Sequence, residues 1–160
     1  MPKQYRVGAF VRFNNAVMRA MVRAGVGAQT FAILTVRGRK SGRPIQIPLV
    51  VFREDGNRYL IAGYGVVNWV RNLRAADGEA ALTCRRRTEK IAAIELSPEQ
   101  AAPILRKSLH AGAPGIPKPI VRAYRRFFVL PYLDVDMNSS LEEFERTAPR
   151  HPIFLIKTVG

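Results

Sequence analysis

Cysteine and histidine are scarce in this chain. Its 160 residues include one cysteine, Cys84, and two histidines, His110 and His151. A lone cysteine excludes an internal disulfide and fits a reducing, cytoplasmic setting. So few Cys and His argue against an all-protein zinc site, and no metal is expected. Acidic residues are also few: 12 Asp and Glu stand against 26 Lys and Arg, for a net charge of +14. None precedes Glu54, whereas residues 1–53 carry ten cations. No apolar run is long enough to span a bilayer. Arg12, Arg19 and Arg23 interrupt the N-terminal segment where a signal peptide would need a continuous apolar core. No Gly-x-Gly-x-x-Gly follows the first strand-like run, so a Rossmann dinucleotide site is not expected. No Ser or Cys nucleophile stands with a His and a carboxylate in a convincing set. His110 and His151 read as structural, and Cys84, despite Arg85–Arg87 beside it, as a buried thiol.

What is present is ordered. Residues 9–24 read as a basic amphipathic helix, with Phe10, Phe13, Val17 and Met21 on one side and Arg12, Arg19 and Arg23 opposite. Gly25 and Gly27 end it. The expectation is a helix packed on the domain with its basic face solvated; the alternative is docking on an anionic membrane surface through residues 1–27. Strands are expected over 31–36, 45–52, 58–62, 80–85 and 90–96, with 86–89 linking the last two, and a final strand over 152–159. Pro48 inside the second strand requires an edge or a bulge. A short helix over 68–75 takes Asn68 as its N-cap. Ser97-Pro98-Glu99-Gln100 spells a capping box for a helix running to about His110. Residues 111–119 form a Gly/Pro loop, 120–128 a short helix, and Ser139 or Ser140 caps a last helix to about Thr147. Antiparallel strands with late helices make this an α+β fold, a small barrel in one domain over 1–160 with residues 1–27 as an appendage.

Two segments carry chemistry. Gly38-Arg39-Lys40-Ser41-Gly42-Arg43-Pro44 concentrates cations, a hydroxyl and glycines in one turn. Such a turn suits a phosphorylated or polycarboxylate ligand; the plain alternative is a hairpin with solvated charges. In Gly63-Tyr64-Gly65, followed by Trp69, Arg71, Asn72 and Arg74, small residues at a strand end meet aromatic and polar groups, as a flat heteroaromatic ligand requires. The alternative there is a strand–turn–helix with Trp69 in the core.

Gly38–Gly42, Pro48-Leu49 and Trp69-Val70-Arg71-Asn72-Leu73, in this order and with His151-Pro152 near the end, resemble the deazaflavin-dependent nitroreductase family of split β-barrels. The resemblance spans about residues 30 to 157. It implies the barrel of pyridoxamine-phosphate-oxidase-like flavoproteins. It also implies the 8-hydroxy-5-deazaflavin coenzyme F420, whose tail bears a phosphodiester and several glutamates. By position, Arg39, Lys40 and Ser41, beside Gly38, would hold the phosphate, with Arg43 near the tail carboxylates. Pro48, Leu49, Gly63, Tyr64 and Gly65 would wall the ring, and Trp69 and Asn72 would complete the pocket. The implied reaction is hydride transfer to a small electron acceptor: a quinone, an activated alkene or a nitro compound. Tyr124 and Tyr132 are the candidate proton donors or hydrogen-bond partners, with packing as their alternative role. One departure stands out: only Val66-Val67-Asn68 separates Gly65 from Trp69, where better-known members have a longer insertion. FMN on the same barrel is the alternative cofactor. A non-catalytic fatty-acyl or anionic-membrane binding protein is the alternative of another class. Nucleic acid is not an expected partner, because aromatics are not interleaved with the cations.

Overall fold

A computed structural model describes residues 8–24, 30–112 and 116–160. The expected helix end at Gly25 and Gly27, and the centre of the 111–119 loop, lie outside the described residues. In chain order the elements are α1 (Ala9–Arg23), β1 (Phe31–Arg37), β2 (Pro44–Glu54), β3 (Asn57–Ile61), α2 (Asn68–Ala75), β4 (Glu79–Cys84), β5 (Arg87–Glu95), α3 (Pro98–His110), α4 (Lys118–Tyr124), α5 (Leu141–Thr147) and β6 (Ile153–Thr158). A π-helical turn, Arg125–Val129, continues α4 and leads into a 3₁₀ turn at Leu130–Tyr132.

The six strands close into an antiparallel barrel in the order β1-β2-β3-β6-β5-β4. Alternation sends Ala32, Leu34 and Val36 of β1 inward, where they meet Leu60, Leu82, Ile91, Phe154 and Ile156. Helix α2 adds Trp69, Val70 and Leu73 to this core. A second core forms outside the barrel, where Leu105 and Leu109 of α3 and Phe144 of α5 pack with Tyr59 and Ile153.

Strand β2 is split in its pairing. Pro44–Val50 pair only with β1, and β3 joins only from Val51 onward. Pro48 therefore lies in the half whose other flank has no strand neighbour, where its missing N–H does little harm. This free half opens the barrel wall next to α2. Gly78, after α2, has φ +79°, and a Cβ there would come within 2.2 Å of the Ala93 carbonyl oxygen. Only glycine lets the backbone pass β5 that closely.

Three local expectations change. Asn68 does not cap α2: Val67 holds the N-cap position, with no side-chain cap bond, because the Asn68 amide oxygen is engaged by Arg39. Arg87, Thr88 and Glu89 belong to β5, and the β4–β5 link is a tight turn in which Arg85 and Arg86 both take positive φ. The apolar stripe of α1 does not face the barrel. The helix packs against β1 and β2 through a neighbouring flank that buries Val22, and Phe13, Val17 and Met21 are exposed. Arg23 donates to Gln46 at 2.8 Å, and Arg86 to the Ala24 carbonyl at 3.1 Å. These two bonds anchor the C-terminal end of the helix to the barrel. Ser97–Gln100 forms its capping box, and Ser140, not Ser139, caps α5.

Candidate functional site

The β1–β2 turn is closed by its own backbone. Gly38 donates to the Arg43 carbonyl and Gly42 to the Gly38 carbonyl, both at 2.8 Å. The Ser41 hydroxyl oxygen accepts from the Arg43 N–H at 3.2 Å, which leaves its O–H able to donate. A Cβ at Gly38 would stand 2.8 Å from the end of the Ile45 side chain and 2.9 Å from the Ser41 hydroxyl oxygen, so both side chains would have to move.

The turn is fastened to α2. Arg39 donates its backbone N–H to the Asn72 Oδ1 at 3.2 Å and its guanidinium to the same oxygen at 2.8 Å. A further guanidinium N–H reaches Asn68 Oδ1 at 3.3 Å. Asn68 and Asn72 are one helical turn apart and so share a face. Asn72 is buried, and a buried amide oxygen requires such partners.

Between the turn, the free half of β2 and α2 lies a cavity of about 260 Å³. Gly38, Arg39, Lys40, Ser41, Ile45, Ile47, Asn68 and Asn72 line it. Two apolar walls from β2 face a polar rim from the turn and the helix. Lys40 and Arg43 are exposed and form no ion pair among the described residues. The uncapped start of α2 adds a positive dipole end to the same rim. This donor set fits an anionic group.

The structure thus brings Gly38, Arg39, Lys40, Ser41 and Asn72 together. Ile45, Ile47 and Asn68 belong with them; none of the three is a site residue on the sequence reading, which makes Asn68 a helix cap. The alternation of Ile45, Ile47 and Leu49 on one face of an interrupted strand was the available signal. Pro48 is buried and Leu49 packs on the barrel core. Trp69 is only 6% exposed, its ring 5.9 Å from that of Phe154, so the indole sits in the core rather than on the cavity wall. Gly63, Tyr64 and Gly65 form the loop between β3 and α2. Tyr64 meets Tyr132 edge to face at 4.9 Å. Tyr124 is half-exposed on α4.

The same loop is braced from behind. His151 is buried, its Nδ1 3.1 Å from the Ala62 carbonyl oxygen, and Ala62 donates its N–H to the Pro152 carbonyl. Burial pushes the His151 pKa below the ordinary range. Burial also pushes the Cys84 thiol up, outweighing the neighbouring arginines. An inert thiol follows. His110 is exposed at the end of α3, on a different cleft with Glu54, Arg106 and Lys107. Among the described residues no cluster of His, Cys, Asp and Glu suits a metal ion, and no helix is long and apolar enough to cross a membrane.

The model of a family described as F420H(2)-dependent quinone reductase matches residues 10–123. No curated protein matches the chain in sequence. Among solved structures, a chain described as a domain-swapped dimer is similar at 17% identity and a TM-score of 0.51, covering 92% of this chain and 97% of that one. The protein Atu2129 from Agrobacterium tumefaciens, of unknown function, is similar at 13% identity and a TM-score of 0.51, covering 99% and 59%. A structure described as an F420-H2 dependent reductase aligns at 18% identity and a TM-score of 0.48, covering 81% and 95%.

Proposed function

The chain belongs to the F420H(2)-dependent quinone reductase family and is an oxidoreductase that uses coenzyme F420; from that premise we propose that the cavity between the β1–β2 turn and α2 receives the coenzyme's acidic tail, and that the acceptor is a quinone. The observation that carries the reading is Lys40, an exposed cation lining that cavity with no ion pair among the described residues, with the equally exposed and unneutralised Arg43 three residues further along the same turn. Lys40 and the Ser41 hydroxyl bind the phosphodiester, Arg43 the tail carboxylates. Arg39 stays on Asn72 and Asn68 and holds the turn in place. Ile45, Ile47 and Leu49 exclude water along the open half of β2, and the Gly63–Gly65 loop walls the ring.

When bound, the reduced coenzyme supplies a hydride, so the protein contributes orientation and a dry environment. Tyr132, held against Tyr64, is the favoured donor of a hydrogen bond or proton to the acceptor oxygen, and Tyr124 the second candidate. A further proposal concerns α1. Its exposed Phe13, Val17 and Met21, beside the basic residues of the same helix, favour contact with an anionic membrane surface.

Calorimetric titration with coenzyme F420 and with FMN tests the cofactor site. Tight F420 binding, weakened about tenfold or more by Lys40→Ala with Arg43→Ala, supports the reading. Preference for FMN, or an unchanged affinity in the double variant, overturns it. Assays with the reduced coenzyme against quinones, enones and nitroaromatics identify the acceptor class.

A further inference from the structure

The cleft on α3 has a volume of about 490 Å³ and shares no lining residue with the coenzyme cavity. One face of α3 forms its floor. Pro103, Arg106, Lys107 and His110 stand at i, i+3, i+4 and i+7, so they share one side of the helix. Glu54 at the end of β2 and Leu141 at the start of α5 extend the lining, and Ala111 follows the helix end. Arg125 donates to the Ala111 carbonyl and fastens that end of the cleft to the segment after α4. The charges in the cleft are unevenly matched. Lys107 Nζ lies 3.0 Å from Glu54 and 3.6 Å from Asp55, so this cation is neutralised. Arg106 and His110 are exposed and have no ion pair or hydrogen bond from their side chains among the described residues. Pro103, Ala111 and Leu141 bring apolar surface, and Leu141 is 40% exposed.

We infer that this cleft is a second ligand site, built for a small aromatic monocarboxylate. The Arg106 guanidinium is a planar fork that takes a carboxylate in two parallel bonds. One helical turn further on, a His110 ring N–H supplies another donor. An uncharged flat body then lies on Pro103 and Leu141. Small-molecule sites combine such apolar walls with a few placed polar groups, in volumes of roughly 300–1,000 Å³. Glu54 sets the upper limit of ligand charge. A polyanion entering the cleft would meet the Glu54 carboxylate, and a neutral ring would leave the Arg106 fork unused. A single negative charge on an apolar body satisfies both. The same limit excludes the polyacidic tail of coenzyme F420 from this cleft. The two sites therefore select different anions: several charges at the β1–β2 turn, one charge at α3. The second site does not rest on the coenzyme reading, because none of its residues belongs to that cavity.

Titration calorimetry of the full chain, free of coenzyme, with naphthoate, naphthylmethanol and inorganic phosphate tests the site. Saturable binding of one naphthoate per chain is expected. The uncharged alcohol should bind about tenfold more weakly or less, and phosphate should not displace naphthoate. Arg106→Gln with His110→Gln should weaken naphthoate about tenfold or more. Leu141→Ser, which keeps both donors, should weaken it about threefold or more. Lys40→Ala with Arg43→Ala, at the coenzyme cavity, should leave its affinity within about twofold of the parent. Unchanged melting temperatures verify that the three variants fold. The absence of saturable naphthoate binding overturns the inference, as does equal affinity for the alcohol or displacement by phosphate. So does unchanged affinity in the Arg106/His110 variant, or a loss in the Lys40/Arg43 variant as large, which would place the bound acid in the coenzyme cavity.

Discussion

Two N–H donors of Arg39, one from the backbone and one from the guanidinium, converge on the single Oδ1 of Asn72 at 3.2 and 2.8 Å. The bond joins a hairpin turn to a helix 33 residues further along the chain. It explains why a cationic turn keeps a fixed shape despite repulsion among Arg39, Lys40 and Arg43. It also divides labour: Arg39 is committed to the scaffold, and the neighbouring cations are left for a ligand.

Replacing Asn72 should separate shape from charge. Asn72→Ala removes the acceptor and frees the turn, and should weaken F420 binding about tenfold, with a loss of about 1–2 kcal/mol in stability. Asn72→Asp keeps a partner for Arg39 but adds a negative charge at the rim. It should retain most of the stability and still weaken the coenzyme. Urea unfolding and titration calorimetry on the pair check this; equal coenzyme affinity in all three proteins would refute the role of the bond.

Trp69 makes a prediction about support rather than contact. Its ring packs on Phe154 inside the barrel, so Trp69→Phe leaves a partly filled void. The cost should be about 1–3 kcal/mol, with coenzyme affinity within about twofold of the parent. A large loss of affinity at unchanged stability would instead place the indole against the ligand.

The barrel was legible because its signals are local and repeated: alternating strands, turn residues between them, and the Ser97–Gln100 capping box that forms at the start of α3. Pro48 was informative for the same reason, since a missing donor restricts where a strand can pair. The orientation of α1 was not legible. Its apolar arc includes Val22 as well as Phe13, Val17 and Met21, and periodicity alone does not say which part of a broad arc meets the barrel. The role of Asn68 was not legible, because a cap residue and an acceptor for a distant arginine look alike in sequence. The turn and α2 were legible as two separate segments. Their junction through Asn72 depends on barrel closure, which no local pattern encodes.

The Arg58–Glu89–Thr158 cluster should make the barrel acid-sensitive. Arg58 pairs with Glu89 and donates to the Thr158 hydroxyl oxygen at 3.0 Å, while that hydroxyl donates to Glu89 at 2.9 Å. The group ties β3, β5 and β6 together. The Arg58 bond, foremost, holds the Glu89 carboxyl below its ordinary range. A depressed carboxylate stabilises the fold above its unfolded pKa, and that contribution is lost as pH falls through the folded value. Glu89→Gln should cost about 1 kcal/mol at pH 7, since the pair is partly solvated. The difference from the parent should shrink below about pH 4. Urea unfolding at pH 7 and pH 3.5 checks both; a constant difference would refute the charge as the cause.

His151 should act in a higher window, with the opposite charge at stake. Burial, then the nearby Arg150 charge, favour the neutral ring, while the Ala62 carbonyl and Asp134 pull the other way; the balance lies below the ordinary histidine pKa. The unfolded chain then takes up a proton near pH 6.5 that the folded chain resists. Stability is full above that pH and declines as pH falls toward the folded value. Because Ala62 precedes the Gly63–Gly65 loop, the same protonation should loosen the ring wall and raise the dissociation constant for F420. His151→Gln keeps an amide donor for the Ala62 carbonyl but does not titrate. The variant should show a flatter dependence of unfolding free energy on pH between about 5 and 6.5. Its coenzyme affinity should vary less over that range. His110 is exposed and unchanged in both proteins, so it cancels in the comparison. Identical pH slopes in the parent and His151→Gln would remove His151 as the titrating brace of the loop.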